Sequence, residues 1–275
     1  GPVAAHDAGS DIRSLADRLE DDGMGDKELT FEQLTQRFPE EVVTGALARM
    51  VSRGPKNVQP RAAQLLAEAP GPIPVLILLD NMRRTKSKAV QASIAKVLAR
   101  YGGTGADAPI AEGKFLLMLE KIGEENRTDA GQFLVPLLNT WPGFRVPLVR
   151  ALARINHRPA ITTFQSMLGG SDEVDAEVIG ALALMGVDRD ANRERISRAL
   201  PRSAEMGESG LGAFQSICFY LQHMAVRYRD PLCVKPLIYV TPHAAEPMRT
   251  QSMAILHKIA VADPAVFVTG VAQVA

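Results

Sequence analysis

The chain has 275 residues, of which 46% are apolar and 5% aromatic, and its 31 basic side chains are matched by 31 acidic ones. The apolar share is enough for a buried core, and the length lies near the size at which one compact core gives way to two domains or one elongated body. Balanced charge excludes a global attraction to nucleic acid or to an anionic membrane, though not a local basic patch, and no stretch approaches the ~20 apolar residues of a membrane span.

Gly1-Pro2 reads as the scar left by a protease, and the chain closes on Val271-Ala272-Gln273-Val274-Ala275 without a polar stop, so a piece of a longer protein is expected. Ser10 caps a first helix carrying Ile12, Leu15 and Leu19, followed by a turn at Asp21 to Gly25. Thr30 and Gln33 have capping-box spacing and open a second helix with Phe31, Leu34 and Phe38. Pro39 then starts the first copy of a thirteen-residue helical frame.

Six such frames start at Pro39, Val90, Phe144, Val174, Ala213 and Met248. The ninth position is always leucine: Leu47, Leu98, Leu152, Leu182, Leu221 and Leu256. The fifth reads Val43, Ile94, Leu148, Val178, Ile217 and Ser252, with the serine alone breaking the apolar rule, and the twelfth reads Met50, Tyr101, Ile155, Met185, Met224 and Ile259. With a mostly small or apolar eighth position, these columns form the stripe of a helix buried on one side. A unit too short to bury its own stripe must stack on copies of itself.

Between the frames, Arg61 to Ala69 reads as a short helix stopped by Pro70-Gly71-Pro72, and Pro74 to Asp80 as an inner helix, apolar nearly all round. A helix around Phe115 to Ile122 is followed by a looser one up to Leu138. Arg158 to Leu168 reads as an outer helix before the fourth frame, and Asp230-Pro231 opens a helix through Ile238. Strand signals are almost absent, since Cys233 to Val240 alternates but has no hairpin partner.

An apolar helix, a short polar turn, then a helix ending in Leu98-x-x-Tyr101-Gly102: this order resembles a HEAT repeat. Leucine-to-leucine spacings that vary along the chain suit HEAT arrays better than ankyrin or tetratricopeptide arrays. The resemblance implies an all-α, irregular HEAT-like α-solenoid, a right-handed superhelix of five or six helical hairpins. Residues 1–9 would be a tail, 10–54 capping helices and 55–275 the repeats of a single elongated domain.

The eleventh frame position holds Arg49, Arg100, Arg154, Leu184, His223 and Lys258. It lies at the rim of the buried stripe, so stacked helices would align these cations in a ladder, widened by Lys96, Arg145 and Arg150. Such a ladder suits an extended acidic peptide or a phosphate-bearing ligand. The competing structural reading is that cations in a last helical turn answer the macrodipole and that their stems cover apolar surface. An imidazole of ordinary pKa at His223 predicts acidic-ligand binding that weakens between about pH 6 and 7.5.

Other motifs carry less. Asp22 to Gln33 resembles an EF-hand loop, but Met24, Lys27 and Gln33 stand where Ca²⁺ needs oxygen ligands and a turn glycine. The glycine-rich stretches 102–105 and 207–212 lack the Walker ending, and the histidines have no metal spacing. Cys218 and Cys233 read as two buried thiols, and Trp141 beside Pro142-Gly143 as a packing plug. Residues 29–54 are reminiscent of a winged-helix regulator, although no wing follows. The resulting expectation is a non-enzymatic cytoplasmic scaffold without cofactor or metal, binding a partner protein or acidic peptide through Arg49, Lys96, Arg100, Arg150, Arg154, His223 and Lys258. The alternative is a nucleic-acid binder resembling HEAT-like DNA glycosylases, with a basic concave face.

Overall fold

The computed structural model describes residues 8–22, 24, 29–69, 74, 77–78, 81, 84–86, 88 and 112–275, and every regular element among them is helical. The second frame, with Lys96, Leu98 and Arg100, lies outside the described residues, as does Asp80. The chain divides into two compact units, one formed by residues 1–125 with 132–136 and the other by 126–131 with 137–275.

The first unit begins with α1 (Ala8–Asp21), α2 (Phe31–Arg37), α3 (Glu40–Arg53) and α4 (Gln59–Leu66). The capping box expected of Thr30 is present: its side chain accepts from the Gln33 amide, and the Gln33 side chain accepts from the Thr30 amide, each at 3.1 Å. α3 packs on α1, α2 and α4 and buries Val43, Ala46, Leu47 and Met50, the apolar columns of the first frame. After Gly54 the chain enters α4, where a winged-helix reading would need strands. Met24, at the third position of the EF-hand-like loop, is buried at φ 55° and so serves the core. α5 (Glu112–Glu124) closes this unit's longer helices with Phe115 and Ile122 fully buried.

The second unit contains the short α6 (Gly131–Leu134, whose first residue alone belongs here) and α7 (Leu137–Thr140), then α8 (Arg145–Arg154), α9 (Ile161–Ser166), α10 (Asp172–Leu184), α11 (Arg189–Glu205), α12 (Leu211–Arg227), α13 (Val234–Val240), α14 (Met248–Ala262) and α15 (Pro264–Ala272). Four of them, α8, α10, α12 and α14, are frame helices, and each packs on the next. α9, α11 and α13 intervene in the chain and pack on α10, on α10 and α12, and on α12 and α14 respectively. The segment from Cys233 to Val240, which alternates like a strand, forms α13.

The columns read from sequence are the buried ones. Leu148, Val178 and Ile217 at the fifth position and Leu152 and Leu221 at the ninth have no exposed surface, and Leu182 has 3%. Fully burying one such side chain is worth about 1.5 to 3 kcal/mol, so this seam holds the unit together. Ser252, the exception at the fifth position, is also fully buried. Its hydroxyl donates to the Arg249 carbonyl at 3.0 Å and lies 2.8 Å from the Thr241 hydroxyl, which removes the cost of an unpaired buried polar group. Leu256 is only half-buried, because no further frame helix packs beyond α14 among the described residues.

α11 has no counterpart in the sequence reading. Its buried stripe, Asn192, Arg193, Ile196, Leu200 and Ser203, contains just two aliphatic residues. Arg193 is 7% exposed and donates to Asp230 at 2.7 Å and to Asp190 at 3.0 Å, so an ion pair supplies what apolar periodicity does elsewhere.

Candidate functional site

The central feature of the second unit is a buried polar network across three consecutive frame helices. Glu177 on α10 is completely buried. Arg150 on α8 meets it bidentately, with Nε donating at 3.0 Å and Nη2 at 2.9 Å. The Tyr220 hydroxyl on α12 donates to the same carboxylate at 2.7 Å, and Arg150 Nη2 reaches Ser216 Oγ at 3.3 Å. Burial, and then the Glu177 charge, push the Tyr220 phenol well above its ordinary pKa, so it remains a donor. Room for the tyrosine ring comes from Gly180, where a Cβ would stand 2.3 Å from a Tyr220 ring carbon.

Above this network the Arg150 guanidinium lies 4.5 Å from the Phe219 ring centroid and that of Arg154 lies 5.8 Å from it, both within cation–π range. The His223 imidazole, one turn along α12, tilts against the same ring at 4.2 Å. Its pKa is lowered to about 4, first by burial and then by Arg154, Arg227, Arg150 and Lys258. Four cations from α8, α12 and α14 thus raise the potential around one neutral imidazole. Arg227 and Lys258 form no ion pair among the described residues, and Glu177 is already committed to Arg150 and Tyr220.

The sequence-derived site is therefore partly assembled and partly corrected. Arg150, Arg154 and His223 meet at the Phe219 ring, and Lys258, together with Arg227 outside the eleventh position, is near enough to lower the His223 pKa. Arg49 is half-buried on α3 in the other unit, and Lys96 and Arg100 lie outside the described residues. Arg145 is turned to another task, its Nε donating to the Leu138 carbonyl at 3.1 Å. The ladder is also interrupted, because Leu184 at the eleventh position of α10 is fully buried.

Some basic residues do answer the helix dipole. The Leu184 carbonyl at the C-terminus of α10 accepts from Arg227 Nη1 at 3.1 Å and from the Tyr228 hydroxyl at 2.6 Å, and the Met185 carbonyl accepts from Arg158 at 2.8 Å. The expected loss of binding between pH 6 and 7.5 has no basis in the unliganded site, because a His223 that titrates near 4 carries no charge in that interval.

The remaining candidates are structural. Trp141 is 4% exposed and meets Phe144 edge to face at 6.3 Å. Gly207 to Gly210 forms a 3₁₀ turn between α11 and α12. Cys218 and Cys233 are buried free thiols; burial pushes the first up to about 12 and raises the second as well. Among the described residues no group of three or more His, Cys, Asp or Glu side chains is placed to hold a metal ion, and no helix is long and apolar enough to cross a membrane. A cavity of about 220 Å³ opens between α10, α11 and α12 with Asp172, Asp175, Arg195 and Arg202 among its lining residues. None of the cations around His223 lines it.

Comparison with family models, with curated proteins and with solved structures finds no match for the chain.

Proposed function

We propose that the protein is a non-enzymatic interaction scaffold of the HEAT-like helical-repeat kind, which binds an acidic segment of a partner protein on the face formed by α8, α12 and α14. The observation that carries this reading is the gathering of Arg150, Arg154 and His223 on the Phe219 ring, with Arg227 and Lys258 near enough to help lower the His223 pKa, while Glu177 is bonded to Arg150 and Tyr220. Like charges gathered on packed helices repel one another, and a bound carboxylate relieves that repulsion. The buried Arg150–Glu177–Tyr220 network holds the three helices in register, so the charges sit on a rigid support and little ordering is needed on binding.

Rim charge pairs contribute about 0.2 to 1 kcal/mol each. Neutralising Arg154 and Lys258 together should then weaken an acidic peptide by roughly 2- to 30-fold, a loss of up to about 2 kcal/mol. Selection from an unbiased peptide library tests the reading. Enriched sequences should be rich in Asp and Glu and should lose affinity with Arg154→Gln and Lys258→Gln combined. Enrichment without acidic bias, or binding indifferent to those substitutions, refutes it.

A further inference from the structure

We infer that the cavity between α10, α11 and α12 is a binding site for a free α-amino acid with an apolar side chain, a site separate from the face around Phe219. The cavity opens where α10 and α12 begin and α11 ends, since Asp172, Met206 and Ala213 all line it. Its floor is apolar and shielded from water: Ala176 from α10, Ile196 from α11, and Ala213 and Ile217 from α12 are all buried. Met206, just past the end of α11, is by contrast 48% exposed, an apolar and adaptable side chain that an occupant would cover. Size then selects the occupant. Benzene fills an engineered apolar cavity of about 150 Å³, or about 25 Å³ per heavy atom. A cavity of about 220 Å³ therefore holds about nine heavy atoms, the count of leucine, isoleucine or methionine.

The rim carries charges of both signs. Asp172 and Asp175 stand in the first turn of α10, and Arg195 and Arg202 on α11 line the same cavity. Among the described residues no ion pair joins these carboxylates to these guanidinium groups, and the side chains of Asp172 and Arg202 make no hydrogen bond. Asp175 accepts the Gly169 amide at 3.0 Å through one oxygen, and Arg195 donates to Asn192 at 3.4 Å through Nη1, so each keeps further capacity. The third acid of that turn, Glu173, lies over Gly212, where a Cβ would stand 2.5 Å from its carboxyl carbon. The α10 macrodipole accounts for acids in this turn, but not for two guanidinium groups that line the cavity with them and stay apart from them. A ligand of one sign would suit one pair and meet like charge in the other. An α-amino acid carries both signs: an ammonium for Asp172 and Asp175, a carboxylate for the fork of Arg202, and a side chain for the Ile196 and Ile217 floor. An internal residue of a peptide has neither charged end, which favours the free amino acid over a partner's side chain.

The test titrates the full chain with leucine, isoleucine and methionine, by calorimetry and by NMR of the methionine methyl groups. Titration runs to about 10 mM, the weak limit that ligand efficiency sets for about nine heavy atoms. At least one of the three should bind saturably and shift the Met206 methyl signal, assigned through Met206→Leu. The N-acetyl derivative of that amino acid, which lacks the ammonium, and its amide, which lacks the carboxylate, should each bind about fivefold more weakly, the upper worth of one exposed charge pair. Asp172→Asn and Arg202→Gln should each weaken the amino acid to the same degree. Arg198→Gln, which removes an exposed cation on α11 that does not line the cavity, should leave its affinity unchanged. No binding by any of the three, binding that leaves the Met206 methyl unmoved, or indifference to Asp172→Asn and Arg202→Gln overturns the inference. Equal affinity for the amino acid and both derivatives also overturns it, and assigns the cavity to an apolar side chain of a partner peptide.

Discussion

Gly180 is a position where one added carbon should damage the packing of the second unit. A Cβ there would lie 2.3, 2.6 and 3.0 Å from three carbons of Tyr220, which is fully buried and tethered by its 2.7 Å hydrogen bond to Glu177. The ring cannot retreat without breaking that bond. Overpacking costs about 1 to 3 kcal/mol, and stranding a buried carboxylate's partner adds about 1 to 3 kcal/mol. Alanine's better helix propensity returns about 1 kcal/mol. Gly180→Ala should therefore destabilise the protein by about 1 to 5 kcal/mol, read as a shift of the urea midpoint by circular dichroism. Gly143→Ala, whose added carbon meets nothing within 4 Å, serves as the control. If Gly180→Ala is neutral or stabilises by the propensity term alone, Tyr220 does not occupy that space and the network joining α8, α10 and α12 is wrongly placed.

Leu152→Ala should cost about 2 to 5 kcal/mol, while Leu256→Ala, half-buried at the same frame position on α14, should cost less than half of that; equal losses would mean that the frame helices do not stack as described. The folded-state pKa of His223 is depressed to about 4, so the unfolded chain binds the extra proton below its ordinary value near ~6.5. The stability it contributes is complete above that value and declines as pH falls towards 4, and His157, lowered by burial, acts with the same sign. His223→Gln should flatten the fall in urea midpoint between pH 6.5 and 4.5; parallel curves contradict the assignment. Cys218 and Cys233 should resist an aromatic disulfide reagent at pH 8 in the native protein and react together on unfolding, since burial keeps both as thiols. Fast native labelling of either would show that its helix opens locally.

The parts of the fold that were legible in the sequence are those written in one-dimensional periodicity. Leu47, Leu152, Leu182 and Leu221, the small Ala46, Ala151 and Ala181, and the Thr30–Gln33 box stand at helical spacing and are buried or capped as that spacing requires. Ser252 broke the pattern because its hydroxyl, like the apolar residues of its column, is satisfied inside the protein. What stayed hidden depends on pairs between helices. Glu177 and Tyr220 are 43 residues apart, and nothing local to either marks a buried carboxylate bonded to a phenol. α11 was missed because Arg193 fills a core position through Asp230, a partner 37 residues away. The cation column was half legible: helical phase places Arg154, His223 and Lys258 near the stripe, but not the burial of Leu184, the arrival of Arg227 or the neutral state of His223.

The titration of His223 by NMR, followed through its imidazole carbon shifts in the full chain, tests most directly whether the cations of three helices meet at one place. A midpoint near 4 that moves upward when Arg154 and Lys258 are both replaced by glutamine, while remaining below the ordinary value because burial persists, is the expected result. A midpoint near ~6.5 that ignores those substitutions would contradict the convergence, and with it the receptor face built upon it.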